Sequence, residues 1–124
     1  MKLYISGPIT GVRDYRENFA QVEEYLNKLG YDTINPAELD PGTNESHEFY
    51  LKRDIKLMVG AENVDGLVLI PGWVNSEGAV VEIVVARATG MRIFQLFEGD
   101  LMEIEEFSEA GYMQMSQTLR RAVK

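Results

Sequence analysis

Short apolar segments alternate along the chain with longer segments in which apolar residues recur every three or four positions. The short segments have the length and composition of β-strands and lie at residues 2–6, 31–35, 66–70 and 91–97. The longer ones show one apolar face at helical spacing and cover residues 14–29, 46–59 and 76–89. A glycine or proline follows most of these segments, as is common where strands and helices end.

This alternation of strands and helices predicts an α/β domain with a parallel sheet of four to five strands and helices on both faces. We expect a single domain over residues 1–124, with a core over about 2–97 and a helical tail over about 98–124. Residues 37–46 are rich in turn formers and are expected to form a loop. The six acidic residues between 98 and 109 are expected to be solvated.

Composition narrows the possible chemistry. The 124 residues include 12 Lys and Arg against 20 Asp and Glu, for a net charge of −8, with one histidine and no cysteine. Disulfides, cysteine-based zinc or thiol chemistry and sites with several imidazoles are therefore excluded. The acidic balance argues against polymeric nucleic acid as a partner. No apolar run approaches the roughly 18 residues of a membrane helix, so we expect a cytoplasmic protein that does not bind membranes.

Ligands of open parallel sheets bind beyond the carboxyl ends of the strands, so the segments leaving those ends are candidate binding loops. These segments are residues 6–11 (SGPITG), 35–37 (NPA) and 71–78 (PGWVNSEG). Two of them lead into helix N-termini, whose free N–H groups suit an anion or a sugar hydroxyl. The same composition fits ordinary strand-to-helix turns, since SGPITG matches neither the dinucleotide fingerprint nor the phosphate-loop pattern.

Two acidic residues stand apart from the others. Glu82 lies one helical turn after Gly78 among alanine, valine and isoleucine, a context in which a carboxylate is usually paired or functional. Asp54 lies in the preceding predicted helix. For Asp54, a surface salt bridge with Arg53 or Lys56 is the alternative to a functional role.

Two ring side chains near the loops also have alternative interpretations. Trp73 follows a predicted strand and could stack on a planar base, or it could simply cover the top of the core. His47, the single histidine, is interpreted as a loop residue and not as a catalyst. Neither residue identifies a function without its neighbours.

Taken together, four motifs resemble those of the nucleoside 2-deoxyribosyltransferase superfamily, in particular its small and often phage-borne branch. They are YISGPITG at 4–11, INPAE at 34–38, YLKRD at 50–54 and IPGWVNSEGAVVE at 70–82. The resemblance covers roughly residues 2–94 and implies a flavodoxin/Rossmann-like three-layer sandwich. It also implies cleavage of the N-glycosidic bond of a 2′-deoxyribonucleoside or its 5′-monophosphate, by base exchange or hydrolysis.

The resemblance implies roles for individual residues. Glu82 matches the nucleophile, Tyr4 the tyrosine that positions it, and Asp54 the acid that holds the sugar or assists the leaving base. A carboxylate beneath the sugar can stabilise or trap the oxocarbenium-like centre at C1′, so no metal or other cofactor is expected. The expected substrate-binding residues are Ser6, Gly7, Pro8, Ile9, Asn35, Trp73, Ser76 and Gly78.

Several alternatives remain open at this point. The pocket could bind a nucleoside or nucleotide without turnover, as a sensor or sponge, or the domain could be purely structural. Thr10 stands where the nucleotide-hydrolysing branch carries arginine, which weakens the case for a 5′-phosphate, although Arg13 or Arg16 could substitute.

The tail bears on the oligomeric state. Its apolar residues predict an exposed helical stripe that a second chain would cover, so we expect a homodimer or a larger homo-oligomer. The stripe consists of Tyr112, Met113, Met115 and Leu119.

Overall fold

A single mostly parallel sheet organises the computed structural model, which describes residues 1–39, 45–60 and 64–123. Within these residues the sheet has five strands: β1 (Lys2–Ser6), β2 (Asp32–Ile34), β3 (Gly66–Leu69), β4 (Arg92–Phe97) and β5 (Asp100–Glu103). Their order is β2-β1-β3-β4-β5, and only β5 runs antiparallel to its neighbour. This is the flavodoxin-like order, in which the direction of winding reverses between β1 and β3.

Helices cover both faces of this sheet. The described part of the chain has four α-helices: α1 (Tyr15–Lys28), α2 (His47–Gly60), α3 (Glu77–Ala88) and α4 (Glu109–Ala122). The first packs on one face and the other three on the opposite face, which confirms the predicted α/β sandwich. Predicted and observed bounds of the elements within residues 2–97 differ by at most one residue at either end. No helix among the described residues is long and apolar enough to span a membrane.

The alternation of side chains along β1 divides the core into two halves. Leu3 and Ile5 are buried on the α1 side, whereas Tyr4 is buried on the α3 side. Ser6 lies two positions after Tyr4 and therefore faces the same side. Two hydroxyl-bearing side chains thus face α3 near the carboxyl end of a central strand.

The predicted loop at residues 37–46 is only partly described. Pro36–Leu39 form a short 3₁₀ helix, which the Asn35 side chain stabilises by accepting a hydrogen bond from the Ala37 N–H at 3.0 Å. Residues 40–44 lie outside the described residues. The structure therefore places a helical turn at the start of this segment.

The tail begins with a strand, which the sequence analysis does not predict. Phe97 of β4 pairs with Asp100 of β5, so the two strands are joined by a two-residue hairpin. Its central residues, Glu98 (φ 48°) and Gly99 (φ 82°), both have positive φ, as in a type I′ turn. Glutamate is unusual in that position, and this is why the hairpin is not evident from the sequence.

β5 is attached to the sheet by side chains as well as by its backbone. Leu101 packs against the α1 half of the core. Arg92 of β4 forms a 2.6 Å salt bridge with Glu103 of β5, which lowers the pKa of this carboxyl group. Glu103 is therefore paired across two strands, but it is exposed like the other five acidic residues of 98–109, which confirms the expectation that these residues are solvated.

The exposed stripe expected on the tail helix is also only partly present. Met115 is buried, and Leu119 packs against the same cluster as α3. The expectation of exposure is therefore wrong for these two residues. Tyr112 and Met113 are exposed, as expected.

Candidate active site

A buried carboxylate lies at the carboxyl end of β1. Glu82 of α3 is only 5% exposed, and each of its oxygens accepts a hydrogen bond from a β1 side chain. Tyr4 Oη donates to Oε2 at 2.7 Å, and Ser6 Oγ donates to Oε1 at 2.7 Å. We call Tyr4, Ser6 and Glu82 the carboxylate clamp, because the two donors hold both oxygens in place.

The start of α3 determines where Glu82 lies. Ser76 caps the helix, and its Oγ accepts a hydrogen bond from the Ala79 N–H at 3.2 Å. Glu82 shares the buried face of α3 with Ala79, Ile83 and Ala86, at three- and four-residue spacing. Packing of these apolar residues against the sheet brings the carboxylate to the end of β1.

Burial changes the protonation equilibrium of the clamp. Loss of solvation raises the pKa of Glu82 from 4.5 to about 7, and the hydrogen bonds from Ser6 and Tyr4 oppose this rise. The charge of Asp54 raises the pKa of Glu82 and that of Arg53 lowers it. Burial, followed by the charge of Glu82, raises the pKa of Tyr4 far above its ordinary value, so the Tyr4 hydroxyl stays protonated and remains a donor.

A second buried carboxylate comes from α2. Asp54 is 6% exposed, and its Oδ1 lies 2.7 Å from Arg53 Nη2 and accepts a hydrogen bond from Arg53 Nε at 2.9 Å. The salt bridge with Arg53 considered from the sequence is therefore present, and it is partly buried, with Asp54 on its buried side. Asp54 and Glu82 line the same cavity, and the charge of Asp54 raises the pKa of Glu82.

A cavity of about 450 Å³ opens above the clamp, between the first loop, α2 and α3. This volume lies in the range typical of small-molecule sites. Tyr4 and Ser6 support Glu82 from below and do not line the cavity. The site residues expected from the sequence that do line it are Gly7, Pro8, Ile9, Asp54, Ser76, Gly78 and Glu82.

Two expected substrate-binding residues lie away from this cavity. Asn35 is buried at the end of β2, where its side chain holds the turn that follows. Trp73 packs against Phe107, with ring centroids 5.4 Å apart, and contacts the α3 half of the core. Of the two interpretations of Trp73, covering the core describes its position in the structure.

Glycine is required where the first loop meets the end of β3. A Cβ atom added at Gly7 would lie only 2.7 Å from Cβ of Ile70, closer than real side chains approach. Gly72 has a φ of +93°, and a Cβ added there would touch Pro8 at 3.5 Å. The first loop therefore packs closely against Ile70 and Gly72 at the end of β3, and Gly7, Pro8 and Gly72 line one side of the cavity.

His47, Tyr50 and Arg121 are among the lining residues that were not expected from the sequence. His47 is the first residue of α2 and not part of a loop, and its buried Nε2 has no hydrogen-bond partner among the described residues. His47, Tyr50, Leu51 and Asp54 recur at the spacing of one helix face, a signal that could have identified the first two. Arg121 comes from α4 and has no comparable local signal.

A neighbouring cavity of about 590 Å³ extends from the first one, with which it shares Thr10 and His47 among other residues. Arg13 and Arg16, considered from the sequence as phosphate ligands, line this neighbouring cavity and not the one above Glu82. Among the described residues, no group of three or more His, Asp or Glu side chains could hold a metal ion.

The fold and the site together define a flavodoxin-like α/β domain with a clamped carboxylate beside the crossover between β1 and β3. The chain belongs to the family described as a domain of unknown function (DUF4406), whose model matches residues 1–95. This match includes every segment that lines the cavity except the part of α4 that carries Arg121. Comparisons with curated proteins and with solved structures gave no match.

Proposed function

We propose that this protein cleaves the N-glycosidic bond of a 2′-deoxyribonucleoside or its 5′-monophosphate, with Glu82 as the nucleophile. The observation that carries the proposal is the carboxylate clamp, which holds a buried Glu82 at both oxygens next to a cavity of ligand size. Removing a carboxylate from water costs free energy that an apolar residue would avoid. A catalytic role is the simplest explanation for a buried carboxylate at this position beside the cavity.

In the first step, an ionised oxygen of Glu82 attacks C1′ of the deoxyribose. The C1′–N bond breaks, and the base leaves with the bonding electrons and takes up a proton from water. Positive charge that develops at C1′ is stabilised by the carboxylate, as in retaining glycosidases. Tyr4 and Ser6 hold Glu82 in position, so little reorganisation is required as the charge develops.

In the second step, the ester between Glu82 and C1′ is opened. Attack by water releases the sugar and a proton, whereas attack by a second base forms a new nucleoside and releases the proton of that base. In both cases Glu82 leaves with the electrons of the ester bond. Asp54 is held by Arg53, which suits it to accept a hydrogen bond from a sugar hydroxyl and thereby orient the ring.

The proposed ligand is a small molecule, and the net charge of −8 is unfavourable for polymeric nucleic acid. A cytoplasmic location is part of the proposal.

A homodimer or larger homo-oligomer also remains a prediction. It is now based on Tyr112 and Met113 alone, the two residues of the expected stripe on α4 that are exposed. Light scattering at micromolar concentration measures the oligomeric state directly.

The decisive experiment incubates the protein with the common 2′-deoxyribonucleosides and their 5′-monophosphates, with and without a second free base. Liquid chromatography should detect a released base, or a new nucleoside when an acceptor is present. We expect Glu82→Gln to reduce turnover by about a thousandfold or more. Glu24→Gln is the control, because Glu24 is an exposed acid of α1 paired with Lys28, and it should leave turnover unchanged.

Two outcomes would contradict the proposal. One is the absence of base release and exchange from every substrate in the panel. The other is equal turnover by Glu82→Gln and the unmodified protein. Nucleotide binding in calorimetry without any product would favour the alternative of a non-catalytic sensor or sponge.

A further inference from the structure

α4 brings an arginine side chain to the cavity above Glu82. This helix packs on α3 and on the short 3₁₀ helix Trp73–Asn75 that precedes it. The buried Thr118 donates a hydrogen bond from Oγ1 to the Val74 carbonyl at 2.7 Å, and Arg121 Nη2 donates to Thr118 Oγ1 at 3.3 Å. The Arg121 guanidinium is therefore anchored to the turn that leads into α3.

The charge of Arg121 is available to a ligand. Arg121 is the only Lys or Arg among the described residues that line this cavity, and it forms no ion pair with any described residue. Three acidic residues line the cavity: Asp54, Glu77 and Glu82. Asp54 is paired with Arg53, Glu82 accepts hydrogen bonds from Tyr4 and Ser6, and no described ion pair joins Glu77 to Arg121. A favourable interaction with the helix dipole would by itself explain an arginine in the last turn of α4. Its position in a ligand cavity also suits an anionic group on the ligand.

The adjacent N-terminus of α3 supplies further donors. The Ala79 N–H and the Val80 N–H are both bonded to Ser76, the first to its side chain and the second to its carbonyl. The N–H groups of Glu77 and Gly78 have no hydrogen-bond partner among the described residues. Since Gly78 lines the cavity and has no side chain, its backbone is open to a ligand.

We propose that Arg121 binds the 5′-phosphate of the substrate together with these N–H groups. The preferred substrate class is then a 2′-deoxyribonucleoside 5′-monophosphate, not the uncharged nucleoside. This inference rests on the proposed function for the identity of the ligand. The planar guanidinium matches two phosphate oxygens, and it would supply from α4 the positive charge that is missing at Thr10 in the first loop.

Calorimetric titration tests this inference without requiring turnover. Each common 2′-deoxyribonucleoside 5′-monophosphate and its matching nucleoside is titrated into Glu82→Gln protein, which retains Arg121. We expect the monophosphate to bind about tenfold or more tightly than the nucleoside, with a preference that shrinks as sodium chloride is added. Adding Arg121→Gln should weaken monophosphate binding about tenfold, which removes most of that preference, and leave nucleoside affinity nearly unchanged.

Arg120→Gln is the matched control. Arg120 is the neighbour of Arg121 on the same helix and is exposed and charged like Arg121, but it does not line the cavity. This variant should keep the full phosphate preference, and Arg121→Lys should keep part of it, since lysine preserves the charge but not the planar fork.

The possible results separate this inference from the proposed reaction. Equal affinity for monophosphate and nucleoside, equal losses in the Arg121→Gln and Arg120→Gln variants, or no binding of any monophosphate would overturn the role of Arg121. Phosphate preference that depends on Arg121, without base release by the unmodified protein, would support the phosphate site and refute the reaction. Base release without phosphate preference would support the reaction and refute the phosphate site.

Discussion

Tyr4 and Glu82 are 78 positions apart in the sequence and are joined by a buried hydrogen bond of 2.7 Å. Tyr4 lies on β1 and pairs with Leu67 of β3, and Glu82 lies on α3, which follows β3 along the chain. The contact can form only after both strands and the helix have assembled. The candidate active site is therefore a product of tertiary structure, since no local segment contains both residues.

Tyr4→Phe should remove one of the two donors of the clamp and leave the aromatic ring in place. Because this hydrogen bond lowers the pKa of Glu82, its loss should raise that pKa above about 7. Activity needs ionised Glu82, so the rise of kcat/KM with pH should move to higher pH, and kcat/KM near neutral pH should fall about tenfold. The pH profile of base release measures both effects.

The control for this substitution is Tyr31→Phe. Tyr31 is a partly buried tyrosine that packs on the α1 half of the core, away from the clamp. Its replacement should leave the pH profile unchanged. A Tyr4→Phe profile that matches that of the unmodified protein would show that the clamp does not control the ionisation of Glu82.

Glu82 should also make the free energy of unfolding depend on pH. Its pKa rises from 4.5 to about 7 on folding, so the folded state binds the proton more tightly than the unfolded chain does. The stabilising contribution is thus fully present below the unfolded pKa and is lost as pH rises through the folded one. Between about pH 5 and pH 8, the unmodified protein should lose about 2–3 kcal/mol relative to Glu82→Gln.

Urea unfolding of both proteins at the two pH values measures this difference. The comparison cancels the titration of the other acidic residues, because the two proteins share them. A constant difference in unfolding free energy between the two pH values would mean that Glu82 titrates alike in the folded and unfolded states.

Gly7→Ala should destabilise the contact between the first loop and the end of β3. The added methyl group would lie 2.7 Å from Cβ of Ile70, so the loop must shift, at a cost of about 1–3 kcal/mol. Gly60→Ala is the matched control, since an added Cβ at the end of α2 meets no atom of the described residues within 4 Å. That change should be neutral or slightly stabilising. Urea denaturation distinguishes the two, and equal stability would show that the first loop is not closely packed.

Glu98→Asn should stabilise the hairpin between β4 and β5. Glu98 is the only non-glycine residue with positive φ in the described part of the chain, and Asn-Gly is the preferred pair for a type I′ turn. We expect a gain of about 0.5–1 kcal/mol, seen as a higher melting temperature. Glu106→Asn removes the same charge at an exposed position without positive φ and should have no such effect. A drop in stability for Glu98→Asn would argue against this turn geometry.

Structural features that are determined by a short stretch of sequence can be predicted, and those that depend on contacts between distant segments cannot. Strands and helices over residues 2–97 follow from periodicity, because each amphipathic helix keeps one apolar face toward the sheet. Glu82 stands out for a related reason, as a carboxylate surrounded by valine and isoleucine. The hairpin at Glu98 is missed because its positive φ is imposed by strand pairing and not by its residue type. Arg121 reaches the cavity only through the packing of α4, which no short motif records.

The alternation of side chains along β1 gives the candidate site a direct dependence on strand register. Tyr4 and Ser6 face α3, and Leu3 and Ile5 face α1. A slip of β1 by one residue would present aliphatic side chains to the carboxylate and bury the two hydroxyl groups in the opposite half of the core. Turnover that depends on Glu82 would then require the correct register of β1. Its rate would therefore report the fraction of molecules in which this strand has paired correctly.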